Sequence, residues 1–158
     1  MKRVLLVTLP IFLVTGASCL GGDAQTPEGF LQNLYTSEHK PMTKQEIDFT
    51  KKESLAKYFD LQLTNLFIKD FECQKKEQGV CNLDFDPIYD AQDFDKQTTG
   101  LKVTSLAGQP NVFQVTFTNL GTRTLIYKLK KTSAGWRISD IKYPEGTSLK
   151  ELLSSEVK

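Results

Sequence analysis

The stretch Phe113-Gln-Val-Thr-Phe-Thr118 decides the fold class, because apolar and polar residues alternate along it without interruption. Alternation with a period of two is typical of a β-strand that buries one face and exposes the other. Leu125, Tyr127 and Leu129 alternate in the same way after a break at 119–121. The C-terminal half of the chain is therefore predicted to form an antiparallel sheet.

Two further strands are predicted beside this pair. Residues 101–107 form one of them, and the other begins at Trp136, after a glycine-containing turn. On this last strand the apolar residues Ile138 and Ile141 have opposite parity, so they could not face the same side of a regular strand. A β-bulge near 139–140 would reconcile them. We expect a four-stranded meander.

The N-terminal half carries helical signals instead. Thr26 before Pro27 is typical of a helix start, and Thr50 with Glu53 matches a capping box for a second helix. Asp60 is expected to divide that second helical region in two. The apolar residues at helical spacing are Phe30, Leu31, Leu34, Tyr35, Leu55, Tyr58, Phe59, Leu63, Leu66, Phe67 and Phe71.

These elements predict an α+β domain, with N-terminal helices packed on one face of a four-stranded antiparallel sheet. Ser148 with Glu151 forms a further capping box, which predicts a short C-terminal helix. A chain of 158 residues that is 39% apolar and 25% charged is long enough for one globular core. We expect residues 27–158 to form a single domain.

Residues 1–18 have the pattern of a signal peptide. Lys2 and Arg3 precede the almost wholly apolar stretch 4–14, and small residues follow it. This stretch is shorter than the roughly twenty apolar residues that a membrane span needs. The alternative, a buried helix of the domain itself, is disfavoured by Pro10. The pattern therefore predicts export.

Cys19 follows small residues and resembles the modified cysteine of a bacterial lipobox, although Gly16 stands where leucine is usual. The alternative is an ordinary signal-peptidase cut after Ser18 or Ala24. The residue after the cysteine is leucine rather than aspartate, as in lipoproteins sorted to the outer membrane. We expect an outer-membrane-anchored lipoprotein in the periplasm of a Gram-negative bacterium. Residues 19–26 would be its tether, and the lipid its only contact with the membrane.

Charge and composition exclude several classes of function. The formal net charge is +1, and it falls to −1 once Lys2 and Arg3 are removed, so no nucleic-acid partner is expected. The single histidine, His39, excludes a site with several histidines. No serine elbow, Cys/His pair, phosphate loop or zinc motif is present. We expect no cofactor, no metal and no catalytic residue.

Cys73 and Cys81 remain as a pair if Cys19 carries lipid. The polar connection between them contains a glycine and can turn back on itself. Two thiols alone make a poor metal site, and redox-active pairs are more usually spaced by two residues. In an oxidising compartment we predict a structural disulfide, worth about 2.5 kcal/mol for so short a loop.

Residues 82–95, called the acidic segment below, contain five aspartates interleaved with aromatic residues. Calcium is disfavoured because Pro87 occupies the middle and no glycine or closing glutamate is present. Aspartates also cap turns, and Asp86 before Pro87 predicts a turn or short helix. The competing interpretation is recognition of a ligand or partner, for which the candidate residues are Asp84, Asp86, Tyr89, Asp90, Gln92 and Asp93.

The run Leu83-Asp-Phe-Asp-Pro-Ile-Tyr-Asp-Ala-Gln-Asp-Phe94 is similar to a motif of an uncharacterised bacterial family of small exported proteins and lipoproteins. The opening helix at 30–35 and the segment Trp136-Arg-Ile-Ser-Asp-Ile141 extend the resemblance over most of the mature chain, while Phe94 replaces a common tryptophan. The family is assigned to the NTF2-like superfamily. The resemblance implies an NTF2-like (cystatin-like) cone, in which helices wrap a curved sheet around a concave pocket. It implies no activity.

Together these features predict an exported, non-catalytic binding domain of the cell envelope, whose partner is an envelope protein or a small ligand. Two alternatives remain open. A periplasmic immunity protein would use the acidic segment to block a cell-wall amidase. An isomerase- or hydrolase-type enzyme would use Asp84 or Asp86 as a general base, with Tyr89 as the oxyanion donor.

Overall fold

The computed structural model describes residues 26–37, 47–93 and 98–155, so the predicted signal peptide, Cys19 and His39 lie outside the described residues. In chain order, the elements are helices α1 (Pro27–Ser37), α2 (Lys52–Tyr58) and α3 (Leu61–Glu77), strands β1 (Thr99–Ser105), β2 (Val112–Thr118), β3 (Thr122–Thr132) and β4 (Gly135–Lys142), and helix α4 (Leu149–Ser154). The strands pair antiparallel in the order β1-β2-β3-β4. The predicted α+β class with a four-stranded meander is confirmed.

Helix α1 begins where the sequence predicted. The hydroxyl of Thr26 accepts a hydrogen bond from the backbone N–H of Gly29 at 3.0 Å. Leu31, Leu34 and Tyr35 are buried, which places the predicted apolar stripe against the core. Within the described ranges, no helix is both long enough and apolar enough to cross a membrane.

The predicted capping box at the start of α2 is wrong. Lys51 occupies the N-cap position and makes no side-chain capping bond. The hydroxyl of Thr50 instead donates to Asp48 at 2.6 Å, and the backbone N–H of Thr50 donates to the same carboxylate oxygen at 3.0 Å. Asp48 therefore holds Thr50 in a turn, so Thr50 does not cap the helix with Glu53.

Asp60 separates α2 from α3, as predicted. Its carboxylate accepts a hydrogen bond from the backbone N–H of Leu63 at 2.9 Å and so caps α3. Its own N–H donates to the carbonyl of Ile138 at 2.9 Å, next to a bridge between Phe59 and Ile138. The junction between the two helices is thereby joined to β4.

The sheet shows the expected alternation of buried and exposed residues. Its inner face carries the buried side chains Phe113, Val115, Phe117, Leu125, Tyr127, Leu129, Ile138 and Ile141. Lys128 pairs with Asp140 while Leu129 pairs with Ile138, so Ser139 is an extra residue on β4. The predicted bulge is confirmed, and it returns Ile141 to the inner face.

The four helices in the described part of the chain contribute to one core on that inner face. Their buried side chains include Leu31 of α1, Leu55 of α2, Leu63 of α3 and Leu149 of α4. The capping box of α4 is confirmed, since the side chain of Ser148 and that of Glu151 each bond the other's backbone N–H. The short helix is thus held at its start and packed along its apolar face.

Aromatic side chains fill the inner face, where the family resemblance implies a pocket. The ring of Tyr35 lies 4.8 Å from that of Phe117 and 6.4 Å from that of Tyr127, measured between centroids. The hydroxyls of Tyr35 and Tyr127 are hydrogen-bonded at 2.8 Å. The NTF2-like cone stays a prediction.

Candidate functional site

The start of the acidic segment is tied to helix α3. The predicted disulfide between Cys73 and Cys81 is confirmed, with Cα atoms 6.2 Å apart. The buried carboxylate of Asp70 accepts the backbone N–H of Asn82 at 2.8 Å. The side-chain amide of Gln74 donates to the carboxylate of Asp70 at 2.7 Å and to the backbone carbonyl of Leu83 at 3.2 Å. The segment therefore leaves α3 in a defined direction.

Asp86 closes the next part of the segment into a turn. Its carboxylate accepts hydrogen bonds from the backbone N–H groups of Ile88 and Tyr89, at 2.8 and 3.2 Å. Its N–H donates to the carbonyl of Ala91, and its carbonyl accepts from the N–H of Asp90, each at 2.9 Å. The predicted capping role of Asp86 is confirmed, and the backbone forms a turn rather than a helix.

The carboxyl group of Asp86 is partly withdrawn from solvent, which affects its protonation. Burial raises its pKa from the ordinary value, because a charge is disfavoured where water is excluded. The hydrogen bonds from Ile88 and Tyr89 act in the opposite direction, because they favour the charged form, but the effect of burial is larger. Asp86 is therefore a structural acid held in the turn.

The middle of the segment is packed into the core. Tyr89 is 2% exposed, and its ring meets those of Tyr35 and Phe117 edge-on, with centroids 6.2 and 6.1 Å apart. The hydroxyl of Tyr35 donates to the carbonyl of Ile88 at 3.0 Å. Burial raises the pKa of Tyr35 well above its ordinary value, so the hydroxyl stays neutral and acts as a donor.

A second tyrosine secures the same turn. The hydroxyl of Tyr143, which follows β4, donates to the carbonyl of Pro87 at 3.2 Å. Burial raises the pKa of Tyr143 above its ordinary value, so this hydroxyl also remains neutral. Two buried phenols thus bond consecutive backbone carbonyls of the turn, at Pro87 and Ile88.

The remaining candidate residues point outward. Asp84, Gln92 and Asp93 are exposed, and the amide of Gln92 donates to the carboxylate of Asp84 at 3.1 Å. Asp90 is half-buried, with its carboxylate 4.0 Å from the guanidinium of Arg123. The fold thus divides the six candidates, with Asp86 and Tyr89 directed inward and the other four available at the surface.

Asp90 occupies an unusual backbone conformation within this group. Its φ of 53° lies in the left-handed region, which short polar residues tolerate better than most. Partial burial raises the pKa of its carboxyl, and so does the charge of Glu145, while Arg123 lowers it. Asp90 therefore lies at the edge between the buried turn and the exposed acidic surface.

The arrangement does not favour the acid–base pair considered from the sequence. Asp84 is exposed while Tyr89 is buried, and Asp86 uses its carboxylate to bond the backbone of the turn. Over the residues that the structure describes, no group of three or more His, Cys, Asp or Glu side chains converges as a metal site would.

A cavity that the sequence did not predict lies on the other side of the sheet, and we call it the outer-face cavity. Its volume is about 290 Å³, and its lining residues are Gln109, Val112, Ile126, Lys128, Asp140, Lys142, Gly146, Ser148 and Glu151. One signal in the sequence was Ile126, an apolar residue among the polar positions of β3. A single apolar residue is too common on a sheet surface to indicate a cavity.

No protein-family model matches the chain, and no curated protein matches it. A distantly similar solved structure is a phospholipid-binding protein from Ralstonia solanacearum, in complex with a phospholipid. The two chains are 18% identical and superimpose with a TM-score of 0.33, over 84% of this chain and 73% of that one. At this score and identity, neither fold nor ligand is transferred to the present protein.

Proposed function

We propose that this protein is an exported, non-catalytic binding domain of the bacterial cell envelope. The disulfide between Cys73 and Cys81 is the observation that carries the proposal. Structural disulfides persist in oxidising compartments such as the periplasm and are rare in the cytosol. The secretory pattern of residues 1–18 supports the same location independently.

The exposed side of the acidic segment is the recognition surface in this proposal. Asp84, Gln92 and Asp93 project from a turn that the disulfide, Asp70 and the buried tyrosines hold in place. A surface that is already ordered loses less conformational entropy on binding than a loose loop. The partner would be an envelope protein that presents basic groups to these carboxylates.

The tether supplies the second part of the proposal. Lipid on Cys19 would hold the domain at the outer membrane through residues 19–26, without a membrane-spanning segment. Each buried methylene of an acyl chain contributes about 0.8 kcal/mol, so several chains together anchor a protein stably. A domain on such a tether meets envelope partners at a high effective concentration.

Fractionation of cells tests the anchor. The full chain and its Cys19→Ala variant are expressed in a Gram-negative host, and the outer-membrane and soluble periplasmic fractions are probed. We expect the wild type in the outer membrane and the variant outside it. If Cys19→Ala remains in the membrane to the same extent, the lipid anchor is refuted, while disulfide formation in the same samples still reports export.

In-cell crosslinking tests the recognition surface. The wild type is compared with a variant carrying Asp84→Asn, Asp90→Asn and Asp93→Asn, and with the control Glu72→Gln, an exposed acid on α3. We expect a specific crosslinked envelope protein with the wild type and the control, and its loss with the triple variant. An equal yield from all three would remove the acidic segment from the proposal. Capture of an amidase would favour the immunity alternative.

A further inference from the structure

Two lysines, Lys128 and Lys142, face the outer-face cavity. The side chains of Lys128 and Lys142 line it, and both residues are exposed. Among the described residues, neither ammonium group has a carboxylate oxygen within 4.0 Å. Both lysines remain available to an anion that enters the cavity.

The sheet register places these two lysines close together. Ile126 pairs with Lys142, and Lys128 pairs with Asp140, so the lysines are diagonal neighbours on adjacent strands. Side chains in that relation lie within about 8 Å of each other at their Cβ atoms. Two like charges at this separation repel each other, and an anion placed between them would relieve the repulsion.

The carboxylates that line the cavity are engaged by backbone groups. One oxygen of Asp140 accepts the N–H groups of Ile141 and Lys150, at 3.0 and 3.2 Å. An oxygen of Glu151 accepts the N–H of Ser148 at 2.8 Å. These bonds hold both carboxylates in place. The negative charges of Asp140 and Glu151 offset part of the positive charge of the two lysines. A ligand with one negative charge therefore suits the cavity better than a polyanion.

The cavity also offers an apolar surface. Val112 and Ile126 line it, and Val112 is only 9% exposed although it lies on the outer face. The volume of about 290 Å³ is near the lower end of the roughly 300–1,000 Å³ that is usual for ligand pockets. A short aliphatic chain would fit this space and lose its contact with water there.

We propose that the outer-face cavity binds a small aliphatic carboxylate. The carboxylate group lies between Lys128 and Lys142, and the aliphatic chain packs against Val112 and Ile126. This site is separate from the acidic segment, which packs on the inner face of the sheet through Tyr89. Binding here neither requires nor excludes the envelope partner proposed above.

A titration with hexanoate tests the proposal. Protein labelled with ¹⁵N is purified from cells that express the full chain, and amide chemical shifts are followed as hexanoate, acetate or inorganic phosphate is added. We expect saturable shifts at the amides of Val112, Ile126 and Lys128. Hexanoate should bind at least tenfold more tightly than acetate or phosphate, because only hexanoate has both the charge and a chain that reaches the apolar surface.

Substitutions then assign the site. The double variant Lys128→Gln with Lys142→Gln should bind hexanoate at least tenfold more weakly than the wild type. Lys130→Gln is the matched control, because Lys130 lies on the same strand and face but outside the cavity lining. The single variants Lys128→Gln and Lys142→Gln should each give an intermediate loss.

Three results would overturn the proposal. One is the absence of saturable shifts at the cavity amides at millimolar hexanoate. Another is equal affinity for hexanoate in the wild type and the double variant. The third is equal affinity for hexanoate and acetate, which would show that the aliphatic chain gains nothing from Val112 and Ile126. Wild-type-like amide spectra of the ligand-free variants would show that each result concerns binding rather than folding.

Discussion

The acidic segment and the outer-face cavity differ in whether their charged side chains are engaged in holding the fold. The acidic segment is conspicuous in the sequence, yet the carboxylate of Asp86 is engaged in holding a turn. The outer-face cavity comes from an ordinary sheet surface, yet it contains Lys128 and Lys142 without an ion-pair partner among the described residues. Density of charge along the chain is therefore a poor guide to which charges are free to bind.

The difference also separates two uses of a polar side chain. In the acidic segment, Asp86 accepts hydrogen bonds from the backbone N–H groups of two buried residues, Ile88 and Tyr89, so its removal should reduce stability. On the outer face, the ammonium group of Lys128 donates to no backbone carbonyl among the described residues, so removal of this charge should affect binding and leave the fold unchanged. The following predictions test this contrast, from the largest expected effect to the smallest.

Removal of the disulfide should have the largest effect on stability. Cys73→Ser together with Cys81→Ser is expected to lower the free energy of unfolding by about 2.5 kcal/mol, because the unfolded chain loses its short covalent loop. Urea denaturation of the wild type and the double variant measures the difference. A wild type whose midpoint does not change on reduction would contradict this prediction. Hexanoate binding at the outer face should persist in the variant under native conditions.

Asp86→Ala should lower the free energy of unfolding by about 1–3 kcal/mol, because the N–H groups of Ile88 and Tyr89 lose their acceptor. Asp84→Ala is the matched control in the same segment, and its effect should stay within about 0.5 kcal/mol because Asp84 is exposed. Thermal or urea unfolding of both variants provides the comparison. Equal losses would show that the segment is not divided into a structural and a free part.

The pH dependence of stability should reveal the same buried carboxyl. Burial raises the pKa of Asp86 in the folded state, so protonation of this carboxyl stabilises the fold. The stabilisation is complete when the pH is below the ordinary pKa of 3.8. That contribution is lost as the pH rises through the raised pKa. The free energy of unfolding of the wild type relative to Asp86→Asn should therefore increase as the pH falls from 7 towards 3.8. A difference that is constant or that decreases on acidification would contradict the raised pKa.

The smallest effect on stability is expected at the outer face. Lys128→Gln and Lys142→Gln should each change the free energy of unfolding by less than about 0.5 kcal/mol. Any increase in the free energy of unfolding should be larger at low ionic strength, because removal of one lysine relieves a repulsion between the two ammonium groups that salt screens. Unfolding in low and high salt measures this. A loss above about 1 kcal/mol would mean that the lysines are structural, and the contrast between the two regions would fail.

Local patterns in the sequence predicted much of the fold, with one instructive error. Ser148 with Glu151 and Thr50 with Glu53 are the same kind of capping box, but only the first one caps a helix. At the second, Asp48 lies two residues before Thr50 and binds both its hydroxyl and its N–H. A neighbouring side chain with a stronger acceptor can thus displace a capping motif.

The parity of apolar residues was the most informative pattern. It predicted the strand pair β2–β3 and also the bulge at Ser139, because Ile138 and Ile141 must both reach the core. The division of the acidic segment was not predictable in the same way. Asp84 and Asp86 have similar neighbours in the sequence, and only the packing of the turn against Tyr35 and Tyr143 decides which of them is withdrawn from water.

The sequence by itself determined the α+β class, the pairing of Cys73 with Cys81 and the break between two helices at Asp60. Each of these depends on hydrogen bonds, periodicity or loop length within a few residues along the chain. Only the tertiary structure decided which acids remain exposed, that the inner face is filled by aromatic rings, and that Lys128 and Lys142 share a cavity. The physical reason is that burial and the absence of an ion-pair partner depend on which strands and helices meet, and distant parts of the chain set those contacts.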